Sequence, residues 1–390
     1  MNTFLLQRQK SFLYYSIIIL GSLFASLSFS LDKKRMKILM VVPSFPKIHD
    51  ICMLNQMTGL IDRGHDVYIN ASKLGDTTKV QEDVIKYNLL SKTIVGDLPR
   101  NLNTYDIVVF QLGHRAINIK KTHGYKGKVV ICLRGYDITA FVKENPHAYD
   151  EFFESCDLFM PVCEAFKEKI ESLGCDPRKV RVHYSGIDCS RFTFKVRKFP
   201  AQGTINIISA ARFVEKKGLI YAIRAVAQLL ETYPRIRYTI IGDGVLKSVY
   251  QQFINRAGLS KQIIIDGWHP HDEYIALLDK AHIFILPSIT ADNDDQEGIP
   301  NVLKEAMAMG LMVVATHHSG NGELIQDKIS GFLVAERNSA AIAKTIAYLI
   351  EHPQEWESIQ RVAHYLVNKN FDTEIVNNKL EKIFLNLINN

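Results

Sequence analysis

Two series of short apolar strands, each alternating with helical stretches, run through this chain, and one segment without either period separates them. Met36 to Val42 reads as a strand, and the helix after it carries Ile51, Leu54, Thr58 and Ile61 before Gly64 closes it. Strands at 106–111, 129–133 and 158–161 continue the first series, with a helical stretch at 164–173. The segment from Phe192 to Gly203, with Lys195, Arg197, Lys198 and Pro200, breaks the pattern. Strands at 205–210, 238–241, 263–266, 283–286 and 312–315 then alternate with helices again. Such alternation calls for a parallel sheet with helices on both faces. A chain of 390 residues, 47% of them hydrophobic, is long enough to bury two cores. The expected layout is a first α/β unit at 36–191, a linker at 192–203, a second unit at 204–370 and a final helical segment at 371–390.

Within the second series, Glu297-Gly298-Ile299-Pro300-Asn301-Val302-Leu303-Lys304-Glu305 places two carboxylates either side of a predicted helix start. Pro300 suits the first turn of a helix, and Val302, Leu303, Ala306 and Met307 supply its apolar face. Glu297 then stands at the helix mouth, and Glu305 about two turns in. The free backbone N–H groups between them can hold a phosphate, and a carboxylate can accept two hydroxyls of a sugar diol at once. The plainer reading is an acidic helix start favoured by the macrodipole. Arg212 and Lys217 follow the strand 205–210 and precede a helix with Leu219, Ile223, Val226 and Leu230 on one face. They lie at the strand ends where open α/β sheets bind ligands, and two cations there suit a diphosphate.

Read together, the run from Arg212 through Lys217-Gly218, Ile241-Gly242-Asp243-Gly244, Asp266-Gly267-Trp268, Leu286-Pro287-Ser288, Glu297 and Glu305 to His318-Ser319-Gly320 resembles the donor-binding half of glycosyltransferase family four. Phe45-Pro46-Lys47, Asn55-Gln56 and Arg63-Gly64-His65-Asp66-Val67 resemble the N-terminal half of its colanic-acid and exopolysaccharide branch. The resemblance spans Met36 to about Asn370. It implies the GT-B fold: two Rossmann-like domains facing each other across a cleft, with the acceptor on the first and the donor on the second. The final helix crosses back to the first domain in that family.

The implied activity is transfer of a hexose from a UDP- or GDP-sugar to a glycan or lipid-linked acceptor, with retention of anomeric configuration. Breaking the anomeric bond leaves positive charge on the sugar and negative charge on the phosphate, and both need stabilising. By resemblance, Arg212 and Lys217 neutralise the leaving diphosphate, and Glu297 contacts the transferred sugar. Glu305 holds the ribose, and the N–H groups near Asn301 and Val302 add the field of the helix end. Gly242, Asp243, Gly244, Trp268 and Gly298 complete the implied donor site. Two fixed cations can replace a metal, so neither metal nor resident cofactor is expected.

Two places depart from the family pattern. Arg134-Gly135-Tyr136-Asp137 stands where many relatives carry histidine-glycine followed by aspartate. Arg134 and Asp137 are candidates for the donor phosphate or an anionic acceptor, and a salt bridge of Arg134 with Asp137 or another carboxylate is the structural alternative. His49-Asp50-Ile51-Cys52 replaces the branch's usual sequence after Lys47, which leaves the acceptor open. A sugar-nucleotide epimerase and a catalytically silent sugar-nucleotide-binding subunit are the competing readings. Release of nucleoside diphosphate from a donor panel separates them.

Other classes find little support. The formal charge of +6 is spread along the chain and forms no block of the nucleic-acid-binding kind. It suits anionic substrates or a membrane surface. Six cysteines show no CxxC pair and read as reduced, buried thiols, while His269 and His271 have no second pair with zinc spacing. The run Asp292-Asn293-Asp294-Asp295 begins like a calcium loop, but Glu297 stands where that loop needs glycine.

Residues 1–35 form a hydrophobic leader. Ser11 to Leu31 is long and apolar enough for a spanning helix, with Arg8 and Lys10 before it and Lys33, Lys34 and Arg35 after it. The readings are a membrane anchor, a cleaved signal peptide, or a start placed upstream of Met36, and the expected place is the cytoplasmic face of the inner membrane, by the anchor or by peripheral association.

Overall fold

The computed structural model describes residues 34–47 and 50–389, so the expectation of an N-terminal hydrophobic helix falls outside the described residues. Among those described, no helix is long and apolar enough to cross a membrane. The described residues from Lys37 onward form one compact unit built on two parallel sheets of six strands each. The first sheet consists of β1 Lys37–Phe45, β2 Asp66–Leu74, β3 Thr93–Val95, β4 Ile107–Phe110, β5 Lys128–Leu133 and β6 Leu158–Pro161. The second consists of β7 Ile205–Ala210, β8 Ile236–Ile241, β9 Ile263–Gly267, β10 Ile283–Leu286, β11 Met312–Thr316 and β12 Phe332–Val334.

Their orders, β3-β2-β1-β4-β5-β6 and β9-β8-β7-β10-β11-β12, are the same doubly wound order used twice. The order reverses between β1 and β4 and between β7 and β10, and the crevice at the carboxyl ends of those strands is where this topology receives ligands. The central strands are buried from end to end, as in Ile107-Val108-Val109-Phe110 and Ile283-Phe284-Ile285-Leu286, because helices cover both faces.

The structure adds three strands that the sequence reading did not assign. In β2 the apolar run is broken by Asn70, which is buried and donates from Nδ2 to the carbonyls of Ile94, Gly96 and Asp97 at 3.4, 3.3 and 3.1 Å. β3 and β12, at three residues each, are too short to show a period.

The helices that bear on function are α1 Ile51–Asp62, α2 Glu164–Ser172, α3 Leu219–Leu230, α4 Asn301–Ala308, α5 Trp356–Phe371 and α6 Thr373–Asn389. On α3 the expected face is buried at Leu219, Ile223 and Val226, with Leu230 at its margin.

The chain passes between the two sheet units twice, and the two passages pair with each other. Ile187 N–H donates to Phe371 O, and Thr373 N–H donates to Ile187 O, both at 2.9 Å. Beyond this point α6 lies on α1 of the first unit. Arg63 reaches Glu374 Oε2 at 2.8 Å and Asn378 Oδ1 at 2.9 Å, and His65 Nε2 lies 3.1 Å from Glu381 Oε1.

The stretch from Phe192 to Gly203 has no regular structure, yet it is fastened to the second unit. Arg197 is buried, its N–H donates to Gln360 Oε1 at 2.9 Å, and its guanidinium donates to the carbonyls of Met309, Asp279 and Ala281.

Gly59 shows how tightly α6 is seated. A Cβ there would stand 1.9 Å from Nδ2 of Asn377, a buried side chain that donates to Asn55 O at 3.0 Å. Gly59→Ala is expected to lower the unfolding free energy by about 1–3 kcal/mol through overpacking, against a helix-propensity gain of about 1 kcal/mol. Denaturant titration of Gly59→Ala, Asn377→Ala and the double variant should show the double costing less than the sum of the singles. A Gly59→Ala protein more stable than wild type would contradict this seating.

Candidate functional site

Lys216 and Lys217 end the loop that leaves β7, and the chain turns into α3 directly after Gly218. Lys217 Nζ lies 2.9 Å from Glu297 Oε2, and Lys216 Nζ lies 3.2 Å from Glu297 Oε1 and 3.0 Å from Asp295 Oδ1. Burial would push the Glu297 carboxyl up, but Lys217 and then Lys216 outweigh it and hold the group down at about 2. A depressed carboxyl stabilises the fold above its unfolded value of 4.5, and that contribution, on the order of 3 kcal/mol, is lost as pH falls toward 2. The backbone of Glu297 is fixed as well. Its N–H donates to His318 Nε2 at 3.0 Å, which leaves Nδ1 of that buried ring to donate to Glu336 Oε1 at 2.6 Å.

Glu305 meets the opposite environment. It is the fifth residue of α4, one turn in and not two, because the helix begins at Asn301 with Pro300 as the residue before it. Its Oε2 accepts from the Tyr274 hydroxyl at 2.8 Å, and both side chains are buried. Among the described residues Oε1 has no donor. Burial raises this carboxyl to about 7, with the Tyr274 hydrogen bond and Lys304 pulling the other way. A raised carboxyl means the fold holds the proton more tightly than the unfolded chain, so this group costs stability as pH climbs from 4.5 through about 7.

The remaining donor-side candidates gather around these two. Arg212 is exposed at the end of β7 and has no side-chain partner among the described residues. Next to it, Phe213 N–H donates to Asp243 O at 2.8 Å, which joins the loops after β7 and β8. Gly242 is required there, since it has φ of 134° and a Cβ would stand 1.9 Å from Ala211 O. The Asp243 carboxylate is taken by its own loop, accepting from Gly244 N–H at 2.7 Å and Lys247 Nζ at 3.0 Å. Trp268, just past β9, is 54% exposed. Asn301 and Val302 open α4, and Asn301 Nδ2 reaches Cys52 Sγ of α1 at 3.0 Å. His269, considered above for zinc, lies 3.0 Å from Glu273 Oε2 and 3.1 Å from Asp266 Oδ2. Among the described residues no group of three or more His, Cys, Asp or Glu is placed to hold a metal ion.

From the first unit, Arg134 and Asp137 arrive at the end of β5, but they do not form an ion pair through their side chains. Asp137 is buried and accepts from the N–H groups of Gly113, Arg134 and Gly135 at 2.9, 2.8 and 2.9 Å, so it holds two loops in shape. The Arg134 guanidinium is gripped by neutral acceptors, Gln111 O at 3.0 Å, Gln56 Oε1 at 3.1 Å and Gln111 Oε1. Among the described residues no carboxylate neutralises it. An arginine fixed by neutral groups keeps its charge available for an anion.

The carboxyl ends of the two sheets meet here. Gln296 N–H donates to Thr139 Oγ1 at 3.3 Å, and a Cβ on Gly298 would stand 2.6 Å from Val162 Cγ2. Glu323 Oε1 accepts from Glu164 N–H at 2.9 Å, a carboxylate of one unit placed at the N-terminus of α2 in the other.

Lys216, Tyr274 and Glu336 were not among the sequence candidates. Lys216 had a signal in its neighbour Lys217, whereas Tyr274 and Glu336 come from other elements and carry no local mark.

Known proteins resemble this chain in sequence and in fold. Residues 191–365 match the family described as glycosyl transferases group 1. WcaL of Salmonella typhimurium, which carries the name of a colanic acid biosynthesis glycosyltransferase, is 31% identical over 89% of this chain and 99% of its own. The amylovoran biosynthesis glycosyltransferase AmsK of Erwinia amylovora is 30% identical over the same shares. Anabaena HepE, solved in complex with UDP-glucose, superposes with a TM-score of 0.74 at 19% identity over 90% of this chain and all of HepE. A glycosyltransferase from Rickettsia africae superposes at 0.75 with 20% identity, over 92% of this chain and all of its own. These two share the fold.

Tyr274→Phe removes a hydrogen bond that favours the ionised Glu305. Carbon-13 titration of the Glu305 carboxyl should show a midpoint near 7 in wild type and a higher one in the variant. A midpoint that falls would contradict the pairing.

Proposed function

The chain belongs to the glycosyl transferases group 1 family and is a glycosyltransferase, and from that premise we propose that it moves a hexose from a nucleotide-diphosphate sugar with retention of configuration. The observation that carries this reading is the contrast between Glu297 and Glu305. One is held ionised by two lysines at the mouth of α4, and the other is held near neutrality with one oxygen open a turn inside. The first suits charge development at the anomeric carbon, the second a pair of ribose hydroxyls. Between them the N-terminus of α4 offers backbone N–H groups to the diphosphate.

In the mechanism Arg212 faces the diphosphate from the second unit and Arg134 from the first. Lys217 turns from Glu297 to the departing phosphate as negative charge grows there, while Lys216 keeps Glu297 ionised. The leaving phosphate accepts the acceptor's proton, so no separate base is assigned. No metal is needed in this scheme, and chelator should leave the rate unchanged. The names of WcaL and AmsK support an acceptor in exopolysaccharide assembly, a growing glycan or a lipid-linked one, and the nucleotide in HepE supports UDP as the carrier.

The reading is tested by release of nucleoside diphosphate from UDP-, GDP- and ADP-sugars. Lys217→Ala is expected to raise the barrier by about 3 kcal/mol, chiefly in kcat, whereas Glu305→Ala should weaken donor binding by a few kcal/mol. A folded Lys217→Ala enzyme with wild-type turnover would sink the assignment.

Glu305 must be ionised to accept two hydroxyls, and in the free protein it holds its proton up to about pH 7. Donor affinity should therefore rise by up to about tenfold per pH unit on the acid side and level off above neutrality. Calorimetric affinities that are flat across this range would count against Glu305 as the ribose carboxylate.

A further inference from the structure

Lys304 is a fully buried lysine that the transfer chemistry does not use. Its ammonium donates to Ser185 O at 2.6 Å and to Asn301 Oδ1 at 2.9 Å, and it sits 5.2 Å from the ring centroid of Phe371. Among the described residues its hydrogen bonds go to a backbone carbonyl and an amide oxygen, and it forms no ion pair with a carboxylate. A buried cation without a counter-ion is costly, and an apolar side chain of the same length would fill the space at less expense. What this lysine contacts accounts for its presence. Ser185 lies on the first passage between the units and Phe371 on the second, next to the residues where those passages pair through Ile187 and Thr373. Asn301 is the first residue of α4, and its amide is used at both ends, Oδ1 on Lys304 and Nδ2 on Cys52 Sγ of α1.

We propose that Lys304 is a positioning residue that ties the setting of the donor helix to the paired passages between the units, so that the N-terminus of α4 is correctly placed only when those passages are joined as they are here. The proposal rests on the transferase reading for its consequence in turnover and on the contacts alone for its consequence in the fold. Its geometry is a chain of direct contacts: Ser185 and Phe371 to the ammonium, the ammonium to Asn301, and Asn301 to α1. Glu305 is the next residue along the helix, so a shift in α4 moves the ribose carboxylate and the helix end together. The cation also fixes which way the Asn301 amide faces, because only the oxygen can accept from it.

Burial lowers the ammonium to about 8, with Cys52, Glu305 and Cys163 opposing that effect. Loss of its proton removes the charge that Ser185 O, Asn301 Oδ1 and the Phe371 ring hold in place. The turnover of wild type should therefore fall as pH rises through about 8.

The test uses the full chain with Lys304→Met, which keeps the stem and removes the charge. Two readouts are taken: steady-state turnover of an accepted nucleotide sugar, and hydrogen–deuterium exchange at the amides of Ile187 and Thr373. Expected are a thermal midpoint no lower than wild type, faster exchange at both amides, a loss of about tenfold or more in kcat with donor KM raised as the ribose carboxylate shifts, and no alkaline limb near pH 8. Phe371→Leu removes the aromatic face with little loss of apolar volume and serves as the second variant if Lys304→Met does not fold. It should shift kcat and exchange in the same direction. Wild-type kcat together with an unchanged alkaline limb in Lys304→Met would overturn the proposal. If wild type turns over no nucleotide sugar, the transferase reading fails separately and exchange decides this one: faster exchange at Ile187 and Thr373 supports the tie, and unchanged exchange overturns it.

Discussion

The pairing of Glu297 with two lysines is the interaction on which the rest of the site depends. A carboxylate this far from water is held ionised only because Lys216 and Lys217 lie 3.2 and 2.9 Å away. The ion cluster sits where β7 ends and α4 begins, so neutralising it and building the site are the same event. Each carboxylate oxygen has its own lysine. The second makes it possible for a cation to be lent to a ligand without stranding a buried charge, a loss that costs several kcal/mol. Glu305 has no ion-pair partner among the described residues, and burial, opposed by its phenol partner, leaves it near its transition between neutral and charged. One helix therefore begins with a fixed charge and carries a conditional one a turn later.

The two sheets share one topology, but the joint between them is irregular and polar. Ile187 and Thr373 pair by backbone, Lys304 reaches Ser185 and Phe371, and α6 returns to lie on α1 through Arg63, His65 and Asn377. Some of these polar contacts are buried, as His65 on Glu381, and others lie at the surface, as Arg63 on Glu374; the buried ones fix direction more than they add stability. Such a joint suits two bodies that must meet at a defined angle. The contacts of Gln296 with Thr139 and of Glu323 with Glu164 show the same logic on the ligand side.

How much of this was legible in the sequence follows from what each element asks of its residues. Buried central strands must be apolar throughout, so Ile107–Phe110 and Ile283–Leu286 announce themselves. β2 hides behind Asn70, whose amide serves the neighbouring loop, and β3 and β12 are too short to show a period. Glu297, Glu305, Arg212 and Lys217 stood out because a helix start and a strand end are local features. Tyr274 did not, since its tie to Glu305 spans 31 residues and leaves no local trace. Arg134 and Asp137 were readable as a pair, yet the structure separates their side chains: the carboxylate is spent on three backbone N–H groups, and among the described residues the guanidinium has no counter-charge. Spacing cannot express that difference, because the partners that decide it, Gly113, Gln111 and Gln56, lie outside the four-residue run.

The central claim is that α4 presents a nucleotide-sugar site in which Glu305 holds the ribose and the helix end, with Lys217 and Arg212, holds the diphosphate. A crystal structure of the full chain with an intact nucleotide sugar tests it most directly. The account predicts both ribose hydroxyls on the Glu305 carboxylate, the diphosphate at the N–H groups of Asn301 and Val302, and Lys217 turned from Glu297 toward phosphate. A nucleotide bound elsewhere, with Glu305 still held only by Tyr274 and Lys217 still on Glu297, would contradict it.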